Sequence, residues 1–370
     1  MFASRRVGSP TNNWYGLKFE EYMYNVHIKK DKEEKMGIKF KFLRAGCGDS
    51  ILISTDTTNI LIDGGLKDYS MEIEPHLRSI KKLDLVVLTH IDNDHICGLI
   101  DLVRDDNHNH KIQELWFNAY AKMKISASSN EIGFGQGIFF EKLLKEKGLH
   151  EKHKSNIFVE NSKKEFEIND IKIKLLSPTK NDLDKLIGEW DDKQIIRPCN
   201  KEQDNGEIST SSSLDDERSM QYLVKNSTYG EDKSSKNRSS IAFILEYQDK
   251  KYLFLGDAKI QVITKSLEEL YGRDRDNPIE FEFIKLSHHG SKHNINKKFL
   301  DVVKTDTFVT LTNGYCHHHP DKATLALILT HEKRAEKVKF LFNYRDYFKR
   351  KISNEEKVQY KFKANYKEEY

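Results

Sequence analysis

Four side chains able to bind a metal fall within six residues at His90-Ile91-Asp92-Asn93-Asp94-His95, directly after Leu83–Leu88, a run rich in Leu and Val. That crowding is hard to explain without a cation. A strand that ends in a ligand-dense turn, followed by the small apolar segment Ile96-Cys97-Gly98-Leu99-Ile100, reads as strand, loop and helix start. Carboxylates and imidazoles directed the same way from such a turn can share one or two divalent ions. The plainer alternative makes Asp92 or Asn93 a helix cap and leaves the histidines on the surface.

Other segments could supply further donors. Asp63 ends an apolar strand just before Gly64-Gly65, and Asp257 follows Leu255-Gly256 at the end of another. His288-His289-Gly290-Ser291 closes the strand Phe281–Leu286, and Cys316-His317-His318-His319-Pro320 is a turn with three imidazoles. Adjacent imidazoles point different ways, so at most one of His288 and His289 is expected to reach a shared metal pair. Sequence leaves open which one. The histidine turn can hold a ligand, a general acid or a phosphate clamp, or only a solvated surface. Asp63 and Asp257 also have ordinary readings, as a turn residue and as the N-cap of a helix over Ala258–Tyr271.

The series as a whole resembles a known group. His-x-Asp-x-Asp-His is similar to the His-x-His-x-Asp-His signature of the metallo-β-lactamase superfamily, with Asp92 in place of the second histidine. This variant resembles the hydrolase domain of competence DNA-uptake proteins of the ComEC/Rec2 type and their soluble relatives. Four more segments match in the same order: Phe42–Ser50 with Leu61–Gly65, then Asn237-Arg238-Ser239-Ser240 with Leu255-Gly256-Asp257, then His288–Ser291, then His317–Pro320. Ordered motifs are far more specific than any one alone.

The resemblance implies an α/β fold, the αββα sandwich of two mixed sheets with helices on the outer faces. It implies His90 and Asp92 on one metal and Asp94 and His95 on a second, with Asp257 between them. His288 or His289 would join the second metal, and Asp63 would orient the ligand loop from behind. No third histidine for the first metal stands out before Asp257, since His108, His110, His150 and His153 lie in polar surroundings that read as surface. An oxygen-richer site moves preference from zinc towards Mn²⁺, Mg²⁺ or Fe²⁺, with zinc retained as a candidate.

Two such cations, about 3.5 to 4 Å apart, can deprotonate a bridging water and stabilise charge on the attacked centre. The expected activity is therefore that of a metal-dependent hydrolase, a two-metal phosphodiesterase or nuclease acting on nucleic acid. In it Asp94, His317 and His319 carry the chemistry, and Ser291, Lys292 or Asn313 contacts the phosphate. Two other readings compete: a hydrolase of a small phosphodiester or lactone, and an interaction subunit of a bacterial multi-protein complex such as a defence system. In the last, residues 1–36 or 181–236 would dock protein partners.

The elements that must position these residues can be read from periodicity. Ile38–Phe42 alternates as a half-buried strand does, and Ile51-Leu52-Ile53 and Asn59–Ile62 continue it. Met71–Lys82 reads as a helix, Ile112–Phe117 as a strand and Phe139–Lys147 as a helix. Residues 37–335 make the hydrolase domain, after an N-terminal extension, 1–36. Within it, the polar segment at about 181–236 reads as a surface insertion, with a packed turn at Met220–Val224. The end, 336–370, reads as basic and aromatic strands on the same domain. From His331 onward twelve Lys/Arg stand against seven Asp/Glu. That composition fits a nucleic-acid face or, preferably, edge strands with one wet side.

Bulk properties narrow the class. In 370 residues, 61 Lys+Arg against 58 Asp+Glu leave a formal charge of +3, too little for a protein that coats DNA. No apolar run approaches the roughly 18 residues of a membrane span, and the N-terminus lacks a signal-peptide centre, so no membrane and a cytoplasmic location are expected. Cys47, Cys97, Cys199 and Cys316 show no Cys-x-x-Cys spacing, which fits reduced, buried thiols rather than a disulfide framework.

Overall fold

Strands without alternation come first, because they show that a sheet is covered on both faces. Leu85-Val86-Val87 is buried at every position, and so is Phe283-Ile284-Lys285. The computed structural model describes residues 37–370 apart from 67–68, 120–134, 161–163, 191–215, 231, 273–275, 346–350 and 367. The expected N-terminal extension and the middle of the expected insertion lie outside the described residues.

The first sheet contains β1 (Lys39–Phe42), β2 (Ile51–Ser54), β3 (Asn59–Ile62), β4 (Leu85–Val87), β5 (Leu115–Trp116) and β6 (His153–Lys154), in that order. The second contains β7 (Glu165–Ile168), β8 (Ile171–Ser177), β9 (Ala242–Tyr247), β10 (Lys250–Phe254), β12 (Phe283–Lys285), β14 (Thr307–Thr310), β15 (Val338–Phe342) and β16 (Phe362–Tyr366). Its order is β16-β15-β14-β12-β10-β9-β8-β7. A small parallel pair joins β11 (Ile279–Glu280) and β13 (Val303–Lys304). In the first sheet β3 to β6 run parallel, in the second β10, β12, β14, β15 and β16 do, and antiparallel hairpins precede each set.

Side-chain alternation distributes each strand's apolar residues between two layers. Phe40, Ile53, Ile60 and Val87 of the first sheet meet Ile173, Phe243, Phe254 and Phe283 of the second, forming the layer between them. The opposite faces are capped by helices. Leu52, Leu61 and Val86 pack against Ile96, Leu99, Ile100 and Val103 of the helix Asn93–Arg104. Ile244, Leu253, Ile284 and Phe340 pack against helices Ile260–Tyr271 and Lys322–Thr330. This is the αββα sandwich. Each buried Leu, Ile, Val or Phe contributes about 1.5–3 kcal/mol relative to exposure, so these layers fix the strand ends that face one another.

Several expectations need correction. Met71–Lys82 is not one helix: Tyr69–Glu72 and Glu74–Leu77 are separate, with proline in the first turn of the second, where its missing N–H starts a helix but would break one already running. Ile112–Phe117 narrows to the two residues of β5. The expected packed turn at Met220–Val224 is present as the helix Met220–Asn226, with Met220 and Leu223 buried, and it is joined by the helices Lys180–Trp190, with Leu183 and Leu186 buried, and Ser235–Arg238. β15 is not an edge strand, because β16 pairs with it and Phe340, Phe342 and Phe362 enter the core. Those aromatics are not a stacking platform for bases. His108 and His153 are buried, the first against Asp105 and the second against the Phe117 carbonyl.

Cys47 and Cys316 are joined in a disulfide across 269 residues of sequence. Spacing alone could not reveal that pairing, and it replaces the expectation of two separate thiols. Among the described residues no helix is long and apolar enough to cross a membrane.

Candidate metal centre

The donors gather where strands of both sheets end, the edge at which open α/β sheets hold ligands. β3 delivers Asp63, β4 delivers Thr89 and the His90–His95 loop, β10 delivers Asp257, and β12 delivers His288 and His289. Backbone hydrogen bonds tie these ends together: Ile241 N–H donates to the Thr89 carbonyl at 3.0 Å and His288 N–H to the Gly256 carbonyl at 2.9 Å.

Two close approaches need glycine. A Cβ on Gly48 would lie 1.6 Å from the Asp94 carbonyl oxygen, and one on Gly64 would lie 2.2 Å from the Leu99 nitrogen. The first packs the Asp49 loop against the ligand turn, and the second seats the Asp63 turn on the helix that follows it. Asp92 stands at the N-cap position of that helix in extended backbone, yet its side chain caps nothing. The carboxylate turns to His90 and to Lys236 instead, at 3.5 Å from His90 Nε2 and 2.8 Å from Lys236 Nζ.

Asp257 divides the cluster. Its Oδ1 lies 3.6 Å from His95 Nε2, and its Oδ2 lies 3.8 Å from both His90 Nε2 and His288 Nε2. On the Oδ1 side, Asp94 Oδ2 lies 3.7 Å from His95 Nε2 and 3.1 Å from His289 Nε2. On the Oδ2 side stand His90, Asp92 and His288. The helix beyond starts at Ile260 with Lys259 as its cap, so Asp257 is not spent on capping. Contrary to expectation, both adjacent imidazoles face the cluster. His288 and His289 both adopt left-handed backbone, with φ 47° and 51°, and His288 Nε2 faces Asp257 Oδ2 while His289 Nε2 faces Asp94 Oδ2.

The outward nitrogens of the histidines are all engaged. His95 Nδ1 donates to Asp63 Oδ2 at 2.8 Å, and Asp63 also accepts the Thr89 N–H and hydroxyl, both at 2.7 Å. His289 Nδ1 reaches the Leu311 carbonyl at 2.9 Å and Asp49 Oδ1 at 3.2 Å, and Asp49 is paired with the fully buried Lys285. His288 Nδ1 lies 3.2 Å from Asn294 Oδ1 and 3.5 Å from Asp232 Oδ2, while Asn237 and Asn294 both donate to Asp232. Such partners fix tautomer and ring orientation and turn each Nε2 inward.

What faces inward is donor-rich and polar. His90 Nε2, His95 Nε2 and Asp257 Oδ1 are buried without a hydrogen-bond partner. The sets His90–His95–Asp257 and Asp94–His95–His289 each bring their ligand atoms within 4.8 Å of one another. Buried polar atoms left unpaired are costly, and divalent cations fit this set of imidazole nitrogens and carboxylate oxygens. Burial would raise the carboxyl of Asp94, but His95 and His289 more than offset it and hold it well below the usual range. Burial likewise opposes charge on His289, whose pKa is nevertheless pushed up to about 9 by Asp49, Asp257 and Asp94. Protons on the imidazoles thus stand where positive charge is wanted, and a cation would displace them.

The histidine turn borders this centre. The His319 ring lies 5.2 Å from that of His288 and the His317 ring 6.4 Å. Burial lowers the His319 pKa to about 4 despite Asp321 nearby. Lys351 holds the turn from below through the carbonyls of His318 and Pro320. Of the expected phosphate contacts, Ser291 is buried and its hydroxyl accepts the His293 N–H at 3.3 Å, while Asn313 Oδ1 accepts the Tyr315 N–H at 3.0 Å. Lys292 engages the site's edge through its backbone N–H, which donates to Asp321 at 2.8 Å.

Sequence reading passed over Asp49, Asp232, Lys236, Lys285 and Asn294. One had a visible signal: Lys285 sits inside the apolar run Phe281–Leu286, where a charge must find a partner.

The family model for the metallo-beta-lactamase superfamily matches residues 44–134. No curated protein matches the sequence. Among solved structures, the metallo hydrolase Igni18 from the archaeon Ignicoccus hospitalis is 13% identical with TM-score 0.39, covering 89% of this chain and 94% of its own. The metallo-beta-lactamase fold protein YhfI from Bacillus subtilis is 10% identical with TM-score 0.41, covering 90% and 97%. CmlA, a diiron β-hydroxylase from Streptomyces venezuelae, is 10% identical with TM-score 0.39, covering 90% of this chain and 54% of its own. Asp63 and the His90–His95 loop lie within the stretch that the metallo-beta-lactamase superfamily model matches.

Proposed function

We propose that the protein is a two-metal phosphodiesterase, acting on nucleic acid as a relative of the competence-protein hydrolases. The observation that carries this reading is the division of Asp257, whose Oδ1 faces His95 and whose Oδ2 faces His90 and His288. His90, Asp92 and His288 would hold one divalent ion with Asp257 Oδ2, and Asp94, His95 and His289 the other with Asp257 Oδ1. Zinc or manganese, and also magnesium or iron, suit this donor set. Bound ions would lower the pKa of water and neutralise charge on a phosphoryl group.

The chain's own residues supply the rest. Asp63, Asp49 and the Asp232–Asn294 pair orient three of the imidazoles, and the His319 ring, 5.2 Å from that of His288, borders the centre where it can exchange a hydrogen bond with substrate. Purified protein loaded with Mn²⁺ or Zn²⁺ is expected to cleave single- or double-stranded DNA or RNA, and Asp94→Ala to abolish cleavage. Absence of turnover on every nucleic acid, with two equivalents of metal bound, would count against the nuclease.

A specific observation supports the small-substrate reading: of the C-terminal aromatic residues that could have stacked bases, Phe340, Phe342, Tyr360 and Phe362 are buried. Turnover of a small phosphodiester but not of polymers would select it. Docking of protein partners through 1–36 or 181–236 is the third reading, tested by copurification and by unchanged function in Asp94→Ala.

A further inference from the structure

The helix Ser235–Arg238 separates two neighbours by function. Asn237 turns inward, donating to Asp232 at 2.8 Å beneath His288. Lys236 turns outward, and its ammonium lies 2.8 Å from Asp92 Oδ1 while the other oxygen of Asp92 faces His90. The Lys236 side chain is 42% exposed, against 0% for His90. It therefore stands at the solvent rim of the His90–Asp92–His288 side, anchored to a residue of the centre.

We propose that Lys236 is the anion-binding residue of the site, and that the substrate carries a phosphate-type oxyanion beside the His90 side rather than a neutral ester or lactone. This rests on the two-metal reading above. Charge supports it: Lys236 brings an ammonium to the rim of a centre whose carboxylates, Asp92, Asp94 and Asp257, would be shared with the divalent ions. A phosphate oxygen is already anionic when the substrate binds and meets the ions and the ammonium from the start, whereas an ester or lactone carries no such charge until its carbonyl is attacked. Lysine is a compact point charge whose donors are not held in one plane, so it suits a phosphate oxygen whose orientation changes during reaction. Position matters as well. The ammonium contacts a residue of the centre from outside, where a substrate must arrive, whereas Lys285 is sealed behind Asp49.

The test uses the full chain loaded with Mn²⁺ and inorganic phosphate as the probe, with affinity read by calorimetry and metal content by elemental analysis. Lys236→Ala is expected to weaken phosphate binding about 10- to 100-fold, the value of one charge-assisted hydrogen bond, with metal content unchanged. Lys236→Arg should retain binding within a few-fold. On bis(p-nitrophenyl) phosphate, Lys236→Ala should lower kcat/KM. Wild-type protein that binds no phosphate, equal affinity in the alanine variant, or joint loss of metal and phosphate would each overturn the proposal, the last because Lys236 would then only support Asp92. Phosphate binding that depends on Lys236 in a protein that cleaves no phosphodiester would uphold this inference and reject the hydrolase reading. Cleavage indifferent to Lys236 would do the reverse.

Discussion

The two sides of Asp257 are built from the same residue types but supported differently. Behind His95 and His289 lie carboxylates sealed in the core, Asp63 and Asp49, the latter paired with a lysine that is 1% exposed. Behind His288 lies a network of amides around Asp232, and in front of Asp92 an ammonium open to solvent. A buried ion pair is expensive to break and leaves little freedom, because removing one partner strands the other in low dielectric. An exposed pair is worth about 0–1 kcal/mol and rearranges readily. The difference teaches that the His95–His289 side is set by folding, while the His90–His288 side can adjust when something arrives.

The strongest way to break this contrast is to remove the residue common to both sides. Asp257→Ala is expected to abolish binding of both metal equivalents, read by elemental analysis of dialysed protein. If one equivalent survived at full affinity, Asp257 would belong to one side only. Next comes Asp49→Ala, which should destabilise the fold by about 3–5 kcal/mol by leaving Lys285 buried alone, measured by urea unfolding. Adding Lys285→Met to it should recover most of that loss, and Lys236→Ala on the other side should shift stability by less than about 1 kcal/mol. Equal losses for the two sides would erase the distinction.

A smaller effect sharpens it. Asp63→Asn keeps size but weakens the hold on His95, so metal affinity should fall about 10- to 100-fold, and Asp232→Asn, acting on His288 through a looser network, should cost less. Competition with a chromophoric chelator would measure both.

The smallest effect lies at the other end of the sandwich. There Asp170 accepts hydrogen bonds from the hydroxyls of Thr55 and Thr58 at 3.0 and 2.5 Å, clipping the β7–β8 hairpin to the β2–β3 turn. Burial pushes its carboxyl up, but these hydroxyls outweigh that and hold it below the usual value of 3.8. A lowered folded value gives stability that is present above pH 3.8 and lost as pH falls through it. Asp170→Ala should therefore cost about 1 kcal/mol at neutral pH, converge with wild type in acid, and leave metal affinity untouched.

How much of this could be read beforehand follows from distance along the chain. His90 to His95 were legible because six consecutive residues carried the signal, and Asp63, Asp257 and the His288–His289 pair because each ends an apolar strand. The sandwich was legible through the resemblance, and the short strands were visible in their apolar runs. The order of strands was not, since parallel neighbours such as β10 and β12 are joined only after a helix. Asp49 and Lys285 meet across 236 residues, and Cys47 and Cys316 across 269. No local pattern encodes such partners. The direction of His288 and His289 was misread because consecutive left-handed residues are rare outside glycine.

That turn at His288 and His289 makes the two compartments hereditary neighbours. Holding two non-glycine residues in this conformation costs about 1–3 kcal/mol each, and what is gained is one wall for each compartment from a single step of chain. Deleting or inserting one residue there would strip both compartments in the same event, whereas the His90–His95 loop could lose one donor and keep the rest.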